Sequence, residues 1–211
     1  MTTHRKAIGV FGSSFDPIHL GHLRLVQKVQ QVMKFDEIRM VLTGRPPHKP
    51  YSTISREDRW HMLCLTCEFI DYLVPEDFEK DRTELSYSID TIEYLVSRDS
   101  AASFYWIMGS DAYYGLSSWH RWTELFDLCN FVVVNRPIKD ELIVDPMNEF
   151  LSRKMVKQID TEKNGQILNL KLPMIEISSS EIRRLIKKQD RFIEFIPESV
   201  ADHIASRGLY R

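Results

Sequence analysis

The chain has 211 residues, 43% of them hydrophobic, with 28 Lys and Arg against 30 Asp and Glu. That size supports one full core, expected as a single domain over residues 1–211 whose last part, from about 178, is helical. A net charge of −2 supplies no basic field for polymeric nucleic acid or an anionic membrane, which excludes both as partners.

In chain order, the apolar run Ala7 to Phe11 predicts a first strand and the amphipathic pattern at 20–33 a first helix. Between them lies Gly12-Ser13-Ser14-Phe15-Asp16-Pro17-Ile18-His19-Leu20-Gly21-His22. Asp16-Pro17 turns the chain, and free amides at a helix start favour an anion. His19 and His22 are three apart and project from one side of a turn, with Gly21 between them allowing close approach to the backbone. Further strands are predicted at 37–42, 103–108 and 130–134, and helices at 55–70, 87–97 and 119–128. A polar stretch from Pro137 to Gly165 carries a helix over 146–157, and 167–177 returns as a strand. Alternating strands and helices imply an α/β fold, a Rossmann-like doubly wound parallel sheet with helices on both faces. Ligands of such sheets bind beyond the carboxyl ends of the strands, the edge reached by Gly12, Gly44, Gly109 and Ile177-Ser178.

Local chemistry leaves several stretches with two readings. Ile177-Ser178-Ser179-Ser180-Glu181-Ile182-Arg183 is either a serine helix cap or a second anion site with Arg183 on the first turn. Pro46-Pro47-His48-Lys49 is a stiff loop that either reaches a polyphosphate or is a solvated basic loop. Ser86-Tyr87-Ser88 reads as a polar cap, and Trp119 and Trp122 as the buried face of a helix. Cys64-x-x-Cys67 lies within a helical pattern and reads as core packing, and Cys129 beside a strand as structural. Few cysteines, no signal-peptide core and no ~18-residue apolar run make the expected location cytoplasmic.

Gly-x-x-Phe-Asp-Pro-x-His-x-Gly-His, at 12–22, resembles the His-x-Gly-His signature of the nucleotidyltransferase superfamily, and within it the bacterial nicotinate-nucleotide adenylyltransferases. The resemblance runs from Gly9 to about Arg184. It implies adenylyl transfer from ATP to nicotinate mononucleotide, giving nicotinate adenine dinucleotide and pyrophosphate. His19, His22 and Arg183 are then catalytic. ATP is held by Gly12, Ser13, Ser14, Phe15, His19, Gly21, His22, Lys49, Gly109, Asp111, Ile177, Ser178, Ser180 and Arg183, with Arg56 and Arg59 nearby. Nicotinate mononucleotide falls to Ser86, Tyr87, Ser88, Trp119 and Arg136, with Trp119 stacking on the pyridine ring and Trp122 in the core. Mg²⁺ is expected to arrive with ATP, since no Asp, Glu or His cluster suggests a metal cage. The pattern is broken at Ser13 and Glu84, where the family has glycine, and at Ser88 and Ser180, where it has threonine. Two rival functions remain: an adenylyltransferase for nicotinamide mononucleotide or another phosphate acceptor, and a non-catalytic nucleotide sensor of the same fold. Oligomeric state and regulation leave no mark in the sequence.

Overall fold

A computed structural model describes residues 5–45, 52, 54–135, 146–173 and 177–211. Its centre is a parallel sheet that alternates with helices. Strand β1 (Ala7–Ser13) leads through α1 (Leu20–Met33) to β2 (Glu37–Leu42), and α2 (Arg56–Cys67) leads to β3 (Leu73–Glu76). The chain then crosses through α3 (Ser88–Arg98) to β4 (Ser103–Gly109) on the other side of β1. Helix α4 (Ser110–Tyr114), a 3-10 turn at Leu116–Ser118 and α5 (Leu125–Leu128) precede β5 (Asn130–Asn135). Helix α6 (Pro146–Lys154), β6 (Met155–Val156) and β7 (Ile167–Lys171) complete the sheet, in the order β3-β2-β1-β4-β5-β7-β6. Helix α7 (Ser179–Lys187), a second 3-10 turn at Ile193–Phe195 and α8 (Glu198–Arg207) close the chain. Winding reverses between β1 and β4, which makes their carboxyl ends the switch point.

The strands read as apolar runs because both sheet faces are covered. In β4, Phe104, Trp106 and Met108 face one core while Tyr105 and Ile107 face the other. In β5, Phe131 and Val133 alternate in the same way with Val132 and Val134. One core receives Leu25, Val26 and Val29 of α1, Met62 and Leu63 of α2, Ile182 of α7 and Val200 of α8. The other receives Ile89, Ile92 and Leu95 of α3, Phe126 of α5 and Leu151 of α6. Each such side chain contributes roughly 1.5–3 kcal/mol when fully buried.

Helix α2 begins at a Ser55 cap whose hydroxyl accepts from Asp58 N at 3.0 Å. The Ser55 hydroxyl also donates to the Asp58 carboxylate at 2.6 Å, the main cause of that carboxyl's lowered pKa. His203 Nε2 and Arg207 Nε of α8 reach the same carboxylate at 3.1 and 3.3 Å, fastening the last helix to the second.

Three sequence expectations change. The predicted helix at 119–128 is helical only over Leu125–Leu128, because Trp119 is extended (φ −75°, ψ 143°) and Arg121 is left-handed (φ 51°). Arg121 in that turn donates to Glu93 of α3 at 2.7 Å and to Glu124 at 2.6 Å, which ties the turn to a neighbouring helix. The predicted strand at 167–177 ends at Lys171, and the helix predicted over 146–157 gives way to β6 after Lys154. Strand β3, with Pro75 in it, lies at a sheet edge where a missing amide is tolerated, and its short run carried no alternation to reveal it.

Candidate active site

The turn after β1 lies at the switch point. Asp16–Pro17 is cis, Phe15 is left-handed at φ 42°, and His19 is the extended N-cap of α1. Phe15 is fully buried and presents its ring to His22 at 5.1 Å, so its side chain supports the imidazole and only its backbone lines the turn. The first internal bonds of α1 run from His22 N and Leu23 N to His19 O at 2.9 and 3.2 Å, leaving the amides of Leu20 and Gly21 ahead of them at the positive helix end.

His19 and His22 stack with ring centroids 3.7 Å apart. His22 Nδ1 accepts from His19 N at 3.3 Å, which assigns the ring proton to Nε2. That Nε2–H then donates to Ser13 Oγ at 3.3 Å, beside the carboxyl end of β1. Gly21 is required by contact: a Cβ there would lie 2.9 Å from the His19 ring and 3.0 Å from Ile177 Cγ2. Gly21→Ala is therefore expected to push the His19 ring or Ile177 aside and to destabilise the fold by about 1–3 kcal/mol, as overpacking does. A thermal melt checks this, and an unchanged melting temperature would contradict it.

The start of α7 docks on the same turn. Ser178 is a helix cap, accepting from Glu181 N at 3.2 Å, so its hydroxyl has the structural part of its two readings. Ser179 Oγ donates to Pro17 O at 3.1 Å. Arg183 donates through Nη1 to Asp16 O at 2.6 Å and through Nη2 to Ser180 Oγ at 3.2 Å, and its side chain stays 31% exposed. A guanidinium, two serines and two helix starts thus converge on one turn, a setting that suits a polyphosphate.

At the end of β4, Gly109 caps α4, and a Cβ there would meet nothing within 4 Å. Asp111 is exposed on the first turn of that helix. Gly12 and Ser13 end β1, paired with Val41 and Leu42 of β2, and the β1–β4 pairing stops earlier at Val10 and Trp106.

Tyr87 caps α3 and its ring lies 4.4 Å from that of His120. This contact brings the start of α3, including Ser88, beside the Trp119 turn. Trp119 is half-buried and meets Trp106 edge-on at 6.0 Å, leaving part of its indole accessible. Trp122 packs edge-on against Phe126 and Phe150 and is half-buried rather than a closed core residue. Ser86 is buried, with its hydroxyl accepting from Arg45 N at 3.0 Å and its amide donating to Arg45 O at 2.9 Å. Its geometry positions the loop rather than offering a free hydroxyl. Lys49, His48 and Arg136 lie outside the described residues. Among the described residues, no three His, Cys, Asp or Glu side chains form a metal-binding group, and no helix is long and apolar enough to cross a membrane.

Residues 10–185 match the model of the cytidylyltransferase-like family. The chain belongs to that family. Among curated relatives, a probable nicotinate-nucleotide adenylyltransferase of Pseudomonas syringae pv. tomato is 35% identical, covering 100% of this chain and 96% of its own. A probable nicotinate-nucleotide adenylyltransferase of Clostridium perfringens is 34% identical over 98% of both chains. A solved Plasmodium falciparum nicotinic acid mononucleotide adenylyltransferase complexed with NaAD shares the fold, with a TM-score of 0.75 at 21% identity over 98% of both chains.

Within this cytidylyltransferase-like fold, the resemblance places Arg56 and Arg59 near ATP, while Glu79 carries no sequence signal; all three hold loops around the site. Arg59 is buried, and its Nη1 donates to Ser14 O at 2.8 Å and Thr43 O at 3.1 Å, joining the turn after β1 to the end of β2. Burial lowers its pKa, and the Asp16 carboxylate works in the opposite direction. Arg56 bonds Lys80 O and Arg82 O at 2.9 and 2.8 Å, so both arginines of α2 bind carbonyls of neighbouring loops. Glu79 is buried between the loop after β2 and α3, accepting from Gly44 N at 3.3 Å and from Thr91 Oγ1 at 2.6 Å. Its burial raises its pKa, while the Thr91 and Ser86 hydroxyls and the Gly44 amide pull it down.

Proposed function

We propose that the protein transfers the adenylyl group of ATP to nicotinate mononucleotide, forming nicotinate adenine dinucleotide and pyrophosphate in NAD biosynthesis. The observation that carries this reading is the stacked His19 and His22 pair at the start of α1, facing the β1 and β4 switch point with α7 docked on the same turn. The substrate assignment is supported by relatives of 34 and 35% identity named as probable nicotinate-nucleotide adenylyltransferases.

A phosphate oxygen of the mononucleotide attacks the α-phosphorus of ATP as the bond from that phosphorus to the bridging β-oxygen breaks, and pyrophosphate leaves with that electron pair. The acceptor is already nucleophilic, so no covalent enzyme intermediate is required. The protein positions both reactants and stabilises charge on the moving phosphates. His19 and His22 supply donors to those oxygens, and Leu20 and Gly21 the amides of a positive helix end. Ser180 and Arg183 hold the pyrophosphate side at the helix start that Ser178 caps, with Lys49 assisting, while Gly12 to Phe15, Gly109, Asp111 and Ile177 border the nucleotide. Tyr87, Ser88, Trp119 and Arg136 form the acceptor side, with buried Ser86 positioning the loop, and Trp119 stacks on the pyridine. Mg²⁺ carried with ATP would neutralise charge on the phosphates, with no cage of protein ligands needed to hold it. We assign the whole of 1–211 to one nucleotidyltransferase domain, located in the cytoplasm.

Mixing the protein with ATP and a panel of mononucleotide acceptors tests the reading. Pyrophosphate and dinucleotide should form with nicotinate mononucleotide, whereas a nucleotide sensor would release neither. Arg183→Ala is expected to raise KM for ATP by ~10-fold, the scale of a lost charge-assisted hydrogen bond, and to leave the acceptor KM within ~2-fold. A change confined to the acceptor KM would contradict the assignment of Arg183.

A further inference from the structure

The end of the chain returns to the phosphate-binding turn. Helix α8 stops at Gly208, left-handed at φ 61°, with Leu209 N bonding Ile204 O at 3.0 Å in a capping turn that reverses the chain. This turn carries Tyr210 into the protein, where it is 6% exposed and donates from Oη to Asp16 Oδ1 at 2.7 Å, across 194 positions of sequence. Asp16 is itself buried at 7% exposure, and a buried carboxylate needs its partners. Its other oxygen, Oδ2, lies 3.7 Å from Arg183 Nη1, which also bonds the Asp16 carbonyl.

We propose that Tyr210 is a positioning residue for adenylyl transfer: through Asp16 it fixes both the turn that precedes His19 and the reach of Arg183. The reasoning is one of competition. Tyr210 occupies Oδ1 and leaves Asp16 a long, single-oxygen contact with Arg183, so the guanidinium keeps donors for an incoming phosphate. Without the hydroxyl, a buried carboxylate with an unsatisfied oxygen turns toward the nearest cation and draws Arg183 inward. Burial and the Asp16 charge both push the Tyr210 hydroxyl's pKa upward, so it remains a donor throughout the working pH range. The fastening of α8 to Asp58 through His203 and Arg207 fixes the helix from which this tail departs.

This inference rests on the adenylyl-transfer reading, and its test separates the two. Tyr210→Phe keeps the ring and removes only the hydroxyl. Wild type and variant are compared for kcat and KM with ATP and with nicotinate mononucleotide, and for binding of a non-hydrolysable ATP analogue to the enzyme alone. The expected result is a ~5–10-fold loss in kcat/KM for ATP and a similar loss of analogue affinity, with the acceptor KM within ~2-fold, on the scale of one lost hydrogen bond to a charged group. Adding Asp16→Asn to Tyr210→Phe should cost no more than Asp16→Asn alone, because both act through one contact. A variant that melts earlier yet keeps wild-type kinetics and analogue binding overturns the positioning role, as do additive losses in the double variant. Wild-type enzyme that binds the analogue but makes no dinucleotide overturns the adenylyl-transfer reading instead, and the analogue arm still decides the effect of Tyr210 on the ATP site.

Discussion

Replacing His22 with alanine is expected to lower kcat for adenylyl transfer by ~10²-fold or more, the scale of losing an oriented charge-stabilising donor, while ATP affinity falls less. The geometry gives the reason. His22 Nδ1 accepts from the His19 amide, so its Nε2 carries the proton, and the ring is held between the His19 ring at 3.7 Å and the Phe15 edge at 5.1 Å. That proton rests on Ser13 Oγ at 3.3 Å, and its transfer of hydrogen bonding to a phosphate oxygen gives most where charge develops in the transition state, and less where ATP merely rests. His19→Ala should behave similarly, with an added structural cost because His19 is also the buried N-cap of α1. Single-turnover rates and ATP analogue binding on both variants separate the two effects. Near-normal turnover in both would remove the imidazoles from the mechanism.

The largest discrimination is expected between acceptors. Nicotinate mononucleotide should be preferred over nicotinamide mononucleotide by ~10³-fold or more in kcat/KM, equivalent to ~4 kcal/mol in the transition state. The first-turn amides of α3 point out of the helix at Ser88, and the Tyr87 and His120 contact brings that helix end beside the Trp119 indole. A carboxylate on a ring stacked at Trp119 would accept from those amides at the positive helix end, whereas a carboxamide NH₂ would face donors with a donor. Trp119→Ala should reduce activity on both acceptors and leave their ratio largely intact, because stacking does not distinguish acid from amide. Equal or better use of nicotinamide mononucleotide by wild type would contradict this acceptor assignment while adenylyl transfer stood.

The turn between β1 and α1 was legible in the sequence because it is local. Strand, turn and helix start occupy consecutive residues from Ala7 to His22, and their spacing alone aligns two imidazoles with a helix end. Helix α1 and strand β2 have the boundaries their patterns predict, since amphipathic and apolar periods there are unbroken. What escaped was held by long-range contacts. Tyr210 is a lone aromatic near the chain end, and nothing in its neighbours points to Asp16. Glu79 sits in a polar stretch that gives no hint of burial, yet it joins Gly44 to Thr91. The two tryptophans misled because a three-residue spacing suits a helix, whereas here each meets a different aromatic partner across an irregular turn: Trp106 for Trp119, and Phe126 and Phe150 for Trp122. Ser86 resembled a ligand contact by motif, and tertiary hydrogen bonds to Arg45 engage its hydroxyl and amide.

The most direct measurement follows the phosphorus atoms of ATP through one turnover, using ATP labelled at the α-phosphate in one reaction and at the γ-phosphate in another, each with nicotinate mononucleotide. Attack at the α-phosphorus predicts α-label in the dinucleotide and γ-label in pyrophosphate, in equal amounts. Transfer of the γ-label to the mononucleotide with release of ADP, or both labels remaining in ATP, would contradict it.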